Sequence, residues 1–146
     1  MGSDKINVLM VLLDGSRVDK LSVSKDLESI TKQATFFEQT IVAAPYTVAS
    51  VNSIFTGMYG SKHGVNAYNN MFNLKDDVKT LAEYMKDNGY HTVGDIMHKG
   101  IISKRGFEKL SVHDEHTVDS EKHHKRIIKE AADSQRPFFL FLQYSG

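Results

Sequence analysis

No cysteine occurs anywhere in the 146 residues. That single absence excludes a disulfide framework, thiolate metal ligands and a cysteine nucleophile. Net charge is lacking too. Eighteen Lys and Arg balance 18 Asp and Glu, so no basic field invites nucleic acid or an anionic membrane surface. The longest apolar run, residues 8–13, falls far short of the ~20 apolar residues that a bilayer-spanning helix needs. Internal repeats and low-complexity tracts are missing as well. Met1-Gly2-Ser3 is followed by no apolar stretch with a small-residue cleavage site, so residues 1–5 read as a leader. The expectation is a soluble, cytoplasmic protein with neither nucleic acid nor membrane as a partner.

What is present fits one globular domain, with 40% apolar and 25% charged residues. Residues 6–13 form a continuous apolar, β-prone run that stops at Asp14-Gly15-Ser16, as a strand buried in a parallel sheet would. Leu27, Ile30 and Ala34 recur at helical spacing within 26–34. Residues 35–42, with Phe36, Phe37, Thr40, Ile41 and Val42, predict a second strand or extended segment. After Pro45, residues 47–55 read as a helix capped by the Thr47 hydroxyl or a near neighbour and stopped at Gly57. Residues 59–73 read as a loop, 78–88 as a helix ending at Gly89, and 90–97 as a strand. Residues 98–120 show no period and read as irregular, 121–134 as a helix, and 137–144 as a buried strand whose Phe138, Phe139 and Phe141 belong to the core. Strands alternating with helices predict an α/β domain with a largely parallel sheet sandwiched by helices.

Three features carry chemistry. Asp14 ends the first strand, and ligands of open α/β sheets sit outside the carboxyl ends of the strands. A hard divalent cation there favours an oxygen ligand of this kind. Thr47 opens a helix, where unpaired N–H groups and the helix dipole favour a phosphate or sulfate. Its hydroxyl is a poor nucleophile unless a metal activates it. A glycine-bearing loop through His63-Gly64 follows.

The run from Asn7 to Gly15 resembles the opening strand and metal-binding aspartate of the alkaline phosphatase/sulfatase superfamily. Ala44-Pro45-Tyr46-Thr47, Thr56-Gly57-Met58-Tyr59 and His63-Gly64-Val65 are similar to that family's nucleophile, its Thr-Gly-x-Tyr turn and its His-Gly pair. Residues 81–85, Gly89-Tyr90-His91-Thr92, Gly106-Phe107 and residues 137–144 resemble later family segments. The resemblance implies an alkaline phosphatase-like α/β domain, with residues 6–146 as its N-terminal part and the remaining metal ligands beyond Gly146. It implies a metal-dependent hydrolase or transferase of small phosphate esters, with Thr47 as nucleophile, Asp14 and Thr47 as ligands of zinc, manganese or calcium, and a phosphothreonine intermediate. Asn69, beside Asn66 and Asn70, and His98 and Lys99 are the implied substrate-binding candidates.

Departures from the pattern matter as much. Sulfatases carry a Cys-x-Pro-x-Arg signature whose cysteine becomes formylglycine, and here the three positions read Thr47, Ala49 and Val51. Asp14 is followed by Gly15 where sulfatases have two adjacent aspartates. Both departures favour phosphate over sulfate. The alternatives are a sulfuric ester hydrolase and a non-catalytic domain binding a metal or anion with an incomplete site. An incomplete sheet predicts exposed apolar surface, hence a homo-oligomer or a companion carrying the missing half. His63 reads as structural, Arg17 and Asp19 as a surface pair, and His113, His116, His123 and His124 as solvated, because neighbours on a helix face different ways.

Overall fold

The structure, a computed structural model, describes residues 5–66 and 73–145. Four strands form a wholly parallel sheet in the order β1-β4-β2-β3, with β1 at Val8–Asp14, β2 at His91–Ile96, β3 at Lys109–Val112 and β4 at Phe138–Ser145. Five α-helices accompany them among the described residues, α1 (Lys25–Gln33), α2 (Thr47–Thr56), α3 (Gly60–His63), α4 (Leu81–Asp87) and α5 (Ser120–Ala132), with a 3-10 helix at Val18–Val23. None of these helices is long and apolar enough to cross a membrane.

Strand β4 occupies the centre, between β1 and β2. Alternation along it sorts the core into two layers. Phe139 and Phe141 face Val51 and Phe55 of α2, Ala82 of α4 and Ile96 of β2. Phe138, Leu140 and Leu142 face Ile127 and Ala131 of α5 and Val93 of β2. The sheet is thus covered by α2 and α4 on one face and by α5 on the other. Phe55 meets Phe141 edge-on at 5.0 Å between ring centroids, a favoured aromatic geometry. On edge strand β1, Val8, Met10 and Leu12 pack into the first layer. Leu9 and Val11, pointing the other way, remain 50% and 47% exposed.

Four expectations need correction. Residues 35–42 form no strand, and Phe37 and Ile41 stand 74% and 95% exposed. β-prone residues make a strand only where a neighbouring strand and a packed face receive them, and here neither does. The span read as irregular contains β3, four residues at the sheet edge with partly exposed side chains, too short to show a period. The span read as a loop contains the single turn α3. Helix α4 starts later than its apolar pattern, because Thr80 and Glu83 form a reciprocal capping box that fixes the first turn.

Gly106 joins the loop after β2 to α4 by direct backbone approach. Its φ is +83°, and a Cβ there would lie 2.1 Å from Glu83 N and 2.4 Å from Ala82 C. Its carbonyl accepts the Thr92 hydroxyl at 2.6 Å. Gly89 has a similar φ of +81° but meets only Lys5 Nζ, at 3.9 Å. Gly89→Ala should therefore cost only the left-handed strain, about 1–2 kcal/mol, or roughly 4–8 °C in Tm. Gly106→Ala should lose roughly 10 °C or more, or fail to fold. Equal losses at the two sites in thermal denaturation would contradict the close approach.

Candidate functional site

All four strands run the same way, so their carboxyl ends line one edge of the sheet. Asp14 is the last residue of β1 and shares the face of Val8, Met10 and Leu12, hence the α2 face. Gly15, at φ +75°, turns the chain away immediately afterwards. Tyr46 is extended, and Thr47 is the first helical residue of α2. The Thr47 hydroxyl lies 3.2 Å from Oδ1 and 3.0 Å from Oδ2 of Asp14, donating to that carboxylate. It does not cap the helix, and neither does Tyr46. A capping hydroxyl must precede the first helical residue to reach back over the next N–H groups; Thr47 is already inside the turn, and its side chain is free for Asp14.

Gln143 completes this arrangement, and sequence reasoning passed over it. It is fully buried in β4, on the same face as Phe139 and Phe141. Its amide donates to Asp14 Oδ2 at 3.3 Å, and its carbonyl oxygen accepts from Met97 N at 3.3 Å. The signal was one amide inside the apolar run Phe-Phe-Leu-Phe-Leu-Gln-Tyr. A buried polar side chain must find partners, and here the partner is the site carboxylate.

The interior of α2 is pinned by polar contacts. Asn52 donates to Val48 O and to Ile101 O at 2.8 and 3.0 Å. His63 is buried, accepting at Nδ1 from Val65 N (3.1 Å) and contacting Ser53 Oγ through Nε2 (3.0 Å). With Nδ1 accepting, the ring proton sits on Nε2, and Ser53 passes its own proton to Ala49 O at 2.9 Å. The ring is therefore neutral, and burial holds its pKa below the usual histidine value.

Of the expected substrate contacts, Asn69 and Asn70 lie outside the described residues. The Asn66 carbonyl accepts the Tyr46 hydroxyl beside the start of α2. His98 and Lys99 are exposed on the turn after β2, at the same sheet edge as Asp14. A cleft of about 410 Å³ opens beside α2 between Val48, Asn52, Asn73 and Arg105. Arg105 is held there by the carbonyls of Asp76 and Val78. Arg17 and Asp19 form an exposed bidentate pair at 2.8–2.9 Å.

The histidines read as solvated are a correction. His116 is exposed, but His113 and His124 are buried and converge with His123 on Asp95, beneath α5. Successive helical residues are about 100° apart, not opposite, so His123 and His124 straddle one point below the helix. Burial works to raise the Asp95 carboxyl, but hydrogen bonds from Ser111 and His124 and the nearby His113 and His123 outweigh it and hold it low. Asp95 follows Val93 by two and so shares the α5 face, opposite Asp14.

Asp14 and Thr47 fit a divalent cation by donor chemistry. Both offer hard oxygens, and their ~3 Å separation matches the edge of an octahedron with bonds of about 2.1 Å. Two such ligands hold an ion only with help from further donors.

The sulfatase family model matches residues 6–146. An arylsulfatase of Clostridium perfringens is 28% identical over 119 residues, 75% of this chain and 24% of that protein. The zinc complex of the C-terminal periplasmic domain of EptC from Escherichia coli superposes with a TM-score of 0.67 at 14% identity, covering 99% of this chain and 44% of that one. Murine ectonucleotide pyrophosphatase/phosphodiesterase 5, an inactive variant bound to AMP, gives a TM-score of 0.65 at 20% identity, over 97% of this chain and 43% of that one. The fold is thus alkaline phosphatase-like, and the chain spans less than half the length of each of these proteins.

The neutral, buried His63 makes stability pH-dependent. Its folded pKa is lowered, so its contribution is complete above the unfolded value of about 6.5 and is lost as pH falls toward the folded value. The stability gap between wild type and His63→Gln, measured by urea unfolding, should shrink from pH 7 to pH 5 by up to about 1.4 kcal/mol per pH unit. A gap that is flat or widens over that range would contradict a neutral ring.

Proposed function

This chain belongs to the sulfatase family, and from that premise we propose that it carries the nucleophile half of a metal-dependent phosphoester hydrolase or phosphotransferase. The observation that carries the reading is the Thr47 hydroxyl held 3.0 Å from Asp14 at the first turn of α2. A divalent cation bound by Asp14 and Thr47 would lower the hydroxyl's pKa and offset the charge of an anionic ester.

The chain's own residues supply the rest. Gln143 fixes the Asp14 carboxylate from below. Asn52, Ser53 and His63 hold α2 in place, so the hydroxyl keeps its position at the sheet edge. The N–H groups of the first turn of α2 face the ester oxygens, an environment suited to a trigonal-bipyramidal phosphorus. Thr47 Oγ attacks phosphorus and gives up its proton, the bond to the ester oxygen breaks, and the alcohol leaves with a proton. Water or an acceptor alcohol then attacks phosphothreonine and restores the hydroxyl. His98 and Lys99 contact the anionic oxygens from the turn after β2. The remaining metal ligands come from outside these residues.

Phosphate is favoured over sulfate because position 47 is a threonine, which cannot become formylglycine, and because Ala49 and Val51 stand at the other two signature positions. The inactive form of the murine neighbour is a threonine-to-alanine variant bound to AMP, which supports a nucleotide-like phosphodiester and a threonine nucleophile. The arylsulfatase relative keeps an aryl sulfate as the competing substrate.

In the full-length protein, Thr47→Ala should lower turnover of bis(p-nitrophenyl) phosphate by roughly 10⁴-fold or more with an unchanged Tm, whereas Asp14→Asn should weaken metal binding as well. The wild type should prefer the phosphodiester to p-nitrophenyl sulfate. Substantial phosphodiesterase activity in Thr47→Ala, or a preference for the sulfate, would overturn this reading.

A further inference from the structure

Three imidazole nitrogens point at one carboxylate oxygen. His113 Nδ1, His124 Nε2 and His123 Nε2 lie 2.7, 2.9 and 3.2 Å from Asp95 Oδ2. The four ligand atoms all fall within 4.8 Å of one another. Asp95, His113 and His124 are nearly inaccessible, with side-chain exposures of 0–2%, while His123 keeps 17%.

Hydrogen bonding alone does not account for this packing. Of the three rings, His124 alone meets Asp95 in hydrogen-bond geometry. His113 Nδ1 and His123 Nε2 are buried without a hydrogen-bond partner among the described residues. A carboxylate oxygen has two lone pairs, and three rings at centroid separations of 5.1–5.4 Å crowd around it. Buried polar groups are ordinarily satisfied, and exceptions call for a cause.

We propose that Asp95, His113, His123 and His124 form a four-ligand site for a transition-metal ion of the zinc class. In a tetrahedral site with bonds of about 2.0 Å the ligand–ligand edges are about 3.3 Å, and the three nitrogen–oxygen distances here approach that edge. Three imidazoles and one carboxylate suit zinc, whereas calcium and magnesium take oxygen ligands. The outer contacts agree. Ser111 donates to Asp95 Oδ1 and orients the carboxylate so that Oδ2 faces the rings. The Tyr144 ring packs edge-on against His124 at 4.5 Å and closes one side. The partly exposed His123 marks the entry path. Four protein ligands leave no open position, which makes the site structural rather than hydrolytic.

Its ligands come from β2, from the residue after β3 and from the first turns of α5. An ion there ties the sheet edge to the helix that covers it. The site lies under α5, on the face opposite Asp14 and Thr47, so it is separate from the proposed ester site and does not depend on that assignment.

The test is zinc titration of chelator-treated protein, read by native mass spectrometry and thermal denaturation, with Co²⁺ as a spectroscopic substitute. Wild type should bind one zinc at this site, gain roughly 5–10 °C in Tm at a hundredfold excess over Kd, and show the intense visible bands of tetrahedral cobalt. His123→Ala, at the most exposed ligand, should keep the fold by circular dichroism and lose the Tm gain and the cobalt bands. His113→Gln should do the same. The double variant Asp14→Asn/Thr47→Ala should retain both signals. Wild type without the zinc-dependent Tm gain, or cobalt bands that survive in His123→Ala and vanish in the Asp14/Thr47 variant, would overturn the proposal.

Discussion

Strand β4 is the constraint on which the other elements depend. It is paired on both edges and covered on both faces, and Phe139, Leu140, Phe141, Leu142 and Gln143 are at most 1% exposed. Each of the four large apolar side chains contributes about 1.5–3 kcal/mol by leaving water. A strand so placed admits no slip in register, because a one-residue shift would exchange the α2 and α5 layers. Register then fixes chemistry. Gln143 can reach Asp14 only because β1 and β4 are parallel neighbours with Asp14 opposite Ser145.

The two faces of the sheet divide the polar groups as they divide the core. Under α2 lie Asp14, Thr47 and Gln143, oxygen-rich and partly open at the strand ends. Under α5 lie Asp95 and three histidines, nitrogen-rich and closed. Hard-cation chemistry suits the first environment and zinc-type coordination the second. The exposed Leu9 and Val11 on edge strand β1 mark where the sheet surface is uncovered.

Much of this was legible from residue pattern. The buried strand β4, the helix at Thr47 and the alternation of strands and helices followed from apolar runs and breakers. The run at residues 6–13 gave a strand but not the buried one expected, because β1 lies at the sheet edge with Leu9 and Val11 exposed. The Asp14–Thr47 pairing, 33 residues apart, came from resemblance rather than from spacing, since no local rule joins a strand end to a distant helix start. What stayed hidden shares one physical cause. Gln143, Asp95 and the histidines acquire meaning only through contacts across the sheet, and no local period encodes those. Residues 35–42 erred in the other direction: their β-propensity was real, but no strand received them. Strand β3 is so short and exposed that its pairing with β2, not its composition, defines it.

The assignment of Thr47 as nucleophile is tested most directly by acid quench of the full-length protein during turnover of a phosphodiester, followed by peptide mass mapping. The expected result is one phosphoryl group on the peptide containing Thr47, with the modification located at that residue and absent in unreacted protein. Steady turnover with no covalent adduct, or an adduct on another residue, would contradict it.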